Sequence, residues 1–367
     1  MNHTTPITSV HLRNYGIDSL KLIAAFFVIV LHTINQGGVY AATAPESHQN
    51  YLCKLLLIFT ICAVNIFGIV SGYVGYRETS KTATLSGYLP IWLSVVFYSV
   101  IICAVYKFLL PSEIPDSKLI EMFFPLSKRH YWYFSAYSLL YFFSPYLNRL
   151  LQSCSEKELR KLFYGICFVI VPLEYLGKTF AMSYGYSAIW LIVLYLVGAI
   201  LKKCQIGRKI PTYVLILCIL GCYLCYFLLN VKFEGIPFFI YYLSFQIDSS
   251  YVSPFYLAPA VFYVILFSRF QFPKLIQRVI AFAVPASLSI YIANVQPQFW
   301  NYFMYNHFVS WAHSSPTGIL VRTMLFSLGF VAVVVIVDYF RRILFQSLGR
   351  LTVFIRIRNI LHCNRQA

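Results

Sequence analysis

Long apolar stretches alternate with short polar loops along nearly the whole chain. An apolar helix needs about 20 residues to cross a hydrocarbon layer of about 30 Å, and ten stretches come close to that length. We predict transmembrane helices over Ile17–Gln36, Leu52–Tyr76, Gly87–Leu110, Tyr131–Leu151, Leu162–Gly177, Tyr186–Leu201, Pro211–Asn230, Val252–Phe267, Val279–Val295 and Gly318–Phe340. A further stretch, Gly235–Phe245, is too short to cross, so we predict either a re-entrant or an interfacial segment there. The pattern indicates an all-α, polytopic membrane bundle.

The lysines and arginines orient this bundle. Cytoplasmic loops of membrane proteins carry an excess of Lys and Arg. With the N-terminus in the cytoplasm, most of the 29 basic residues fall in inner segments, among them Arg77 with Lys81, the loops at 149–161, 202–209 and 269–278, and residues 341–365. We therefore predict that both termini are cytoplasmic, with an N-terminal segment at 1–16, a membrane domain at 17–340 and a basic tail at 341–367.

The composition agrees with a membrane location and argues against a nucleic-acid partner and a metal site. Hydrophobic residues make up 59% of the chain and charged residues 11%, whereas soluble domains carry about 25% charged residues. The net charge of +17 is spread over short loops and forms no continuous face, so we predict no nucleic-acid partner. Cys218, Cys222 and Cys225 share one helical face, but their span has no histidine or carboxylate. We therefore predict no metal site.

Ionisable side chains in the first predicted helix mark a candidate site. Asp18, Lys21 and His32 share one face, because eleven residues advance a helix by about 20° past three full turns. His32 would lie about 16 Å beyond Lys21 along the helix axis, where a neutral imidazole could take a proton from an attacking hydroxyl. The same spacing fits a histidine that only bonds a neighbouring helix. Asp18 and Lys21 could likewise form a simple ion pair.

Residues of the second and fourth predicted helices have both structural and functional interpretations. Ser71 and Gly72 favour close helix packing. Arg77 follows them in the first inner loop, where it either marks topology or binds phosphate. Trp132, within Tyr131-Trp132-Tyr133, begins the fourth helix at the outer interface as part of an aromatic belt or of a sugar platform.

The remaining polar candidates carry weaker signals. Glu174 and Asp338 lie near predicted helix ends, where snorkelling or local pairing is expected. His307 and His313 lie in an outer loop without a nearby carboxylate, so we expect them to be solvated.

Four segments of the chain resemble the membrane acyltransferase family called acyltransferase 3. The stretch from Gly16 to Thr33 resembles its first helix, which has an aspartate, then a basic residue and a histidine eleven positions later. The other segments, in the order of the family, are Asn65–Tyr73, Tyr131–Tyr137 continuing to Ser144–Asn148, and Ser287–Ile292. The resemblance covers nearly the whole chain and agrees with ten helices and a cytoplasmic N-terminus.

This resemblance implies an enzyme that transfers an acyl group, commonly acetyl, from cytoplasmic acetyl-CoA to a hydroxyl of a surface polysaccharide or glycolipid, such as exopolysaccharide or lipopolysaccharide. It implies acyl-CoA as a co-substrate, with no bound cofactor. The implied partners are the glycan acceptor and membrane lipids, with glycan assembly proteins as further candidates. The implied location is the cytoplasmic membrane of a bacterium.

The resemblance also assigns roles to residues. It implies that His32 is catalytic, together with Asp18 and Lys21, and the candidates for binding substrate or CoA are Arg77, Ser71, Tyr73, Trp132, Tyr137 and Asn294. Two of these depart from the family pattern. Lys21 replaces the usual arginine, which keeps the charge but loses the bidentate fork. Asn294 replaces the second histidine of many members, and an asparagine can orient a hydroxyl but cannot act as a base.

Two other functions stay open at this point. One is a transporter that exports a lipid-linked sugar or a polysaccharide, although proton-coupled transport usually needs buried carboxylates and the chain has few near the middle of its spans. The other is an inactive relative that serves a glycan assembly complex, which the departures at Lys21 and Asn294 suggest.

Overall fold

Every regular element in the described part of the chain is a helix. The computed structural model describes residues 13–78, 82–233 and 250–348. Its helices are α1 (Tyr15–Ile34), α2 (Val39–Ala42), α3 (His48–Thr60), α4 (Ala63–Gly75), α5 (Leu85–Leu109), α6 (Asp116–Glu121), α7 (Trp132–Ser153), α8 (Glu156–Gly165), α9 (Val171–Gly177), α10 (Ala188–Lys203), α11 (Thr212–Phe233), α12 (Pro254–Phe267), α13 (Lys274–Ala283), α14 (Ser287–Asn294), α15 (Pro297–Phe299) and α16 (Pro316–Leu348). The predicted segment Gly235–Phe245, Lys81, and the arginines beyond residue 348 lie outside the described residues, as do residues 1–12. The all-α prediction is confirmed.

Six helical stretches among the described residues are long and apolar enough to cross a membrane. They are Tyr15–Ala42, His48–Gly75, Leu85–Leu109, Thr212–Val231, Lys274–Asn294 and Pro316–Leu348. The other predicted spans correspond to α7, to α8 with α9, to α10 and to α12, which are shorter or carry more polar side chains. The protein is a multi-pass membrane protein. Ten crossings and cytoplasmic termini stay predictions.

The second predicted span consists of two helices instead of one. A short turn at Ile61 and Cys62 separates α3 from α4. Next to this turn, Thr60 Oγ1 donates to the Leu56 carbonyl at 2.7 Å and Cys62 Sγ contacts the Phe59 carbonyl at 3.5 Å. These side-chain bonds accompany an interruption that hydrophobicity did not reveal.

Helix α1 lies at the centre of the bundle. Asn14 caps its first turn by accepting from the Ile17 backbone N–H at 3.0 Å, and its Nδ2 donates to the Ser268 carbonyl at 2.8 Å. Most of the helix is buried against α3, α4, α12, α13, α14 and α16. We call the face of the bundle at which α1 begins the proximal face, and the face at which it ends the distal face.

Glycines bring α4 and α10 into close contact. A Cβ on Gly72 would overlap the Tyr195 carbonyl, and a Cβ on Gly198 would overlap the Ile69 carbonyl. Small residues allow such backbone approach within membranes. The predicted close packing at Gly72 is confirmed, and it fixes Ser71 beside the contact.

Chain segments at the distal face hold the end of α1. After α14, Gln296 Oε1 caps α15 by accepting from the Phe299 N–H at 2.9 Å. The chain then returns to the end of α1, where the Asn306 N–H donates to the Gln36 carbonyl and the Phe308 N–H to the Gly37 carbonyl, each at 2.9 Å. These bonds place the short π-helical turn Trp300–Met304 beside α1.

The two buried acidic residues near predicted helix ends are locally paired. Glu174 accepts hydrogen bonds from the backbone N–H groups of Phe180 at 2.6 Å and Met182 at 2.8 Å. Asp338 forms ion pairs with Arg341 at 2.9 Å and Arg342 at 3.0 Å. Local pairing was one of the two expected explanations, and it accounts for both carboxylates.

Candidate active site

A cavity of about 940 Å³ runs lengthwise through the bundle. Along α1 it extends from Lys21 to Gln36, which corresponds to about 22 Å of helix rise. Side chains of α4, α7, α10 and α14 form other walls, and His130, Tyr251 and Asn301 line the distal end. This length is most of a hydrocarbon layer of about 30 Å, so groups from the two faces can meet inside the protein.

His32 lies on the cavity wall with a defined hydrogen-bonding state. Its Nδ1 is 2.5 Å from Asn294 Oδ1, and its ring makes an edge-to-face contact with Trp300 at 5.0 Å between centroids. An amide oxygen can only accept, so Nδ1 carries the hydrogen. The Nε2 atom of a neutral imidazole then keeps its lone pair, which is what a general base needs.

Asn294 contacts His32 by a hydrogen bond but does not line the cavity. It lies 262 positions away in sequence and is fully buried at the end of α14. Its Nδ2 has no hydrogen-bond partner among the described residues. The structure therefore places the predicted residue Asn294 where it can orient the His32 ring.

The predicted pair Asp18 and Lys21 is an ion pair at the proximal end of the cavity. Lys21 Nζ is 3.3 Å from Asp18 Oδ1, and Lys21 also lines the cavity. Arg13 contacts the other carboxylate oxygen at 2.6 Å. Arg13 was not selected from the sequence as a site residue, although it shares the Asp18 carboxylate with Lys21.

Three of the other predicted residues line the cavity, namely Ser71, Trp132 and Tyr137. The Ser71 hydroxyl donates to the Phe67 carbonyl at 2.8 Å, within its own helix. The two other predicted residues, Tyr73 and Arg77, do not line the cavity. The Lys202 ammonium lies 5.9 Å from the ring centroid of Tyr73, and Arg77 is exposed, with its carbonyl accepting from Gln152 Nε2 at 2.7 Å.

Three aromatic rings gather at the distal end of the cavity. Trp132, Tyr186 and Tyr251 all line it, and we call them the aromatic mouth. Their ring centroids are 4.8 Å apart for Trp132 and Tyr186, 4.8 Å for Tyr186 and Tyr251, and 6.0 Å for Trp132 and Tyr251. Trp132 was predicted, whereas Tyr186 and Tyr251 were not.

His130 is a second histidine in this cavity that sequence reasoning did not select. It immediately precedes Tyr131-Trp132-Tyr133, in the loop between α6 and α7. Burial lowers the pKa of its imidazole below the ordinary value, so the ring is neutral at neutral pH.

The family of the chain follows from a comparison with known families. Residues 14–342 match the acyltransferase 3 family, described as an acyltransferase domain. The protein belongs to the acyltransferase 3 family. No curated protein and no solved structure matches the chain. The matched region contains every residue that lines the cavity, and this acyltransferase 3 protein is a membrane acyltransferase.

A membrane acyltransferase must bring an acyl donor, an acceptor and a base together. In this acyltransferase 3 protein, the cavity offers a lone pair on His32, a cation at the Lys21 end and aromatic surfaces at the other end. A sequence signal for the missed distal residues did exist. His130, Tyr186 and Tyr251 precede or begin predicted spans that all start at the same predicted face.

Proposed function

We propose that the protein transfers an acetyl group from cytoplasmic acetyl-CoA to a hydroxyl of a surface polysaccharide or glycolipid. The observation that carries this proposal is the position of His32, inside a cavity that reaches from Lys21 at the proximal end to the aromatic mouth at the distal end. Such a path suits two substrates that approach from opposite sides of a membrane. The proximal face is cytoplasmic in this proposal, as the charge pattern predicts.

The donor enters at the proximal end. Lys21 is a compact cation that attracts the phosphates of CoA, and the exposed Arg77 adds charge at the same face. The Asp18 carboxylate holds the Lys21 ammonium at the cavity entrance. The pantetheine arm then extends along α1 and brings the thioester to His32.

The transfer itself needs one base. His32 Nε2 takes the proton of the acceptor hydroxyl while the hydroxyl oxygen bonds to the thioester carbonyl carbon. When the carbon–sulfur bond breaks, the imidazolium returns that proton to the CoA thiolate, so protons and charge balance. Asn294 Oδ1 accepts from Nδ1–H throughout, which orients the ring and stabilises its charged form. The Ser71 hydroxyl is engaged with its own helix, which favours direct transfer over an acyl-serine intermediate.

The test uses cells that lack the gene, complemented with wild-type protein or with His32→Ala at matched membrane levels. Glycan O-acetylation is measured by NMR or mass spectrometry. Wild type restores the acetyl groups, whereas His32→Ala loses activity by about 100- to 10,000-fold, the usual effect of removing a general base. His313→Ala is the matched control, since His313 is exposed and lies away from the cavity.

Two results would contradict the proposal. Full acetylation with His32→Ala would mean that the histidine is only structural. Acetylation that never depends on the gene, combined with loss of surface glycan, would instead identify a transporter.

A further inference from the structure

Backbone hydrogen bonds close the turn that carries His130, and His130 lines the cavity. The His130 N–H donates to the Pro125 carbonyl at 3.1 Å, and the Arg129 N–H donates to the Leu126 carbonyl at 3.0 Å. Arg129 has a positive φ of 54°, which a non-glycine residue adopts only where its surroundings enforce it. The His130 ring also packs edge-on against Tyr131, at 6.2 Å between centroids. These backbone bonds and the ring contact define the position of the imidazole beside Tyr131.

One nitrogen of His130 has no partner. Nε2 is buried and makes no hydrogen bond with any described residue. The backbone and carboxylate of Glu121 act on the imidazole and oppose the lowering of its pKa by burial. The Glu121 carboxylate is engaged by Lys118 at 3.0 Å and Lys128 at 3.8 Å. His130 lines the cavity, and a neutral imidazole with its hydrogen on Nδ1 has Nε2 available as an acceptor.

Hydrogen bonds position the backbone of the aromatic mouth beside His130. Asn65 Nδ2 donates to the Tyr251 carbonyl at 2.8 Å, and Asn65 Oδ1 accepts from Trp190 Nε1 at 3.0 Å. The Tyr251 N–H donates to the Tyr184 carbonyl at 2.9 Å. A buried asparagine and a cross-loop bond therefore fix the backbone that carries one of the rings.

The charge at this end of the cavity points to a neutral ligand. Within the described part of the chain, the only lysine or arginine that lines the cavity is Lys21, at the opposite end. The nearby cations Lys118 and Lys128 pair with the Glu121 carboxylate and do not line the cavity, so an anionic headgroup at this end of the cavity would find its cations already engaged. Flat aromatic faces suit the C–H face of a sugar ring, and a neutral acceptor suits one of its hydroxyls.

We propose that His130 and the aromatic mouth form the subsite for the acceptor sugar, in which a pyranose ring stacks on Trp132 or Tyr251 and one hydroxyl donates to His130 Nε2. This assignment rests on the proposed function. It makes His130 a binding and specificity residue that is separate from the base, His32. The hydroxyl bound at His130 is not the one that reacts.

Two substitutions separate the functions of the His130 nitrogens. Asparagine places its amide near Nδ1, so His130→Asn keeps a polar group at that position and loses the acceptor at Nε2. Glutamine reaches the position of Nε2 with an amide oxygen, so His130→Gln restores that acceptor. His313→Asn is the same change at an exposed histidine and serves as the control.

The assay measures release of free CoA thiol by the full-length protein in proteoliposomes. The acceptor is glycan extracted from the strain that lacks the gene, and the donor is acetyl-CoA. His130→Asn raises the KM for glycan about tenfold or more, as expected for a lost hydrogen bond to a bound hydroxyl, while the KM for acetyl-CoA changes less than about twofold. His130→Gln recovers most of the glycan affinity.

Each outcome has a distinct meaning. Absence of thiol release with wild type would contradict the proposed function itself. If wild type is active, an unchanged glycan KM in His130→Asn would overturn the subsite. A parallel rise in both KM values, or a defect that His130→Gln does not relieve, would show that His130 only supports the loop and would also overturn it.

Discussion

The two ends of the cavity are built from different kinds of side chain. At the proximal end, Lys21 pairs with Asp18 at 3.3 Å, and Asp18 pairs with Arg13 at 2.6 Å. At the distal end, Trp132 and its neighbouring tyrosines present apolar faces beside the unpaired Nε2 of His130. One end is an ionic network and the other is an aromatic surface with neutral polar side chains.

This difference means that the two ends recognise ligands by different forces. Charges attract a phosphate over a distance of up to about 10 Å at moderate ionic strength, and added salt weakens that attraction. Aromatic faces act only on contact and respond little to salt. In an enzyme that takes a phosphate-bearing donor at one end and a neutral sugar at the other, a substitution at either end should change one KM and spare the other.

The largest effect of this kind is expected at the proximal end. Lys21→Ala should raise the KM for acetyl-CoA by about 10- to 100-fold, the range for a lost hydrogen bond to a charged group. The KM for glycan should stay within about twofold. Thiol-release kinetics in proteoliposomes, with each substrate varied in turn, measure both values.

Salt and two further variants sharpen this test. Added salt should raise the donor KM of wild type more than that of Lys21→Ala, because screening acts on the charge that was removed. Lys21→Arg keeps the charge and should stay close to wild type. Lys157→Ala removes an exposed lysine of α8 and controls for net charge. An equal rise of both KM values in Lys21→Ala would mean that the ion pair only stabilises the fold.

At the aromatic mouth we expect a smaller effect, on the KM for glycan and not on the KM for acetyl-CoA. Trp132→Ala removes one stacking face and should raise the KM for glycan by about tenfold, which corresponds to about 1.4 kcal/mol and lies within the range for a stacked ring. Trp132→Phe should recover part of that loss. The control is Phe108→Ala, at an aromatic residue that is 86% exposed near the end of α5. If Trp132→Ala changed the KM for acetyl-CoA as much as the KM for glycan, the two ends of the cavity would not recognise different substrates.

Residues of one helix were predictable from the sequence because helical periodicity fixes their relative directions. Lys21 and His32 lie eleven positions apart, and both line the cavity, as their shared face predicted. Hydrophobic length likewise predicted the long spans. The break between α3 and α4 was missed because the chain stays apolar across it, and an apolar pattern does not record a two-residue turn.

The distal end was harder to predict because it is assembled from distant loops. His130, Tyr186 and Tyr251 come from three separate connections, and only the packing of the helices brings them together. Topology could place them at one face, but not next to one another. Asn294 was selected as a site residue, yet its contact with His32 depends on how α14 packs against α1.

The smallest expected effect is a pH dependence confined to the distal end. Burial lowers the pKa of His130 below its ordinary value of about 6.5, and the nearby cations Lys118 and Lys128 act in the same direction, whereas contacts with Glu121 oppose them. The imidazole therefore stays neutral down to pH values below about 6.5 and only then gains a proton. Protonation turns Nε2 from an acceptor into a donor, so the glycan KM of wild type should be flat from about pH 8 to 6.5 and rise a few-fold at lower pH. An amide does not titrate, so the glycan KM of His130→Gln should stay flat throughout. Parallel pH profiles in the two proteins would assign the titration to another group and remove His130 from the acceptor subsite.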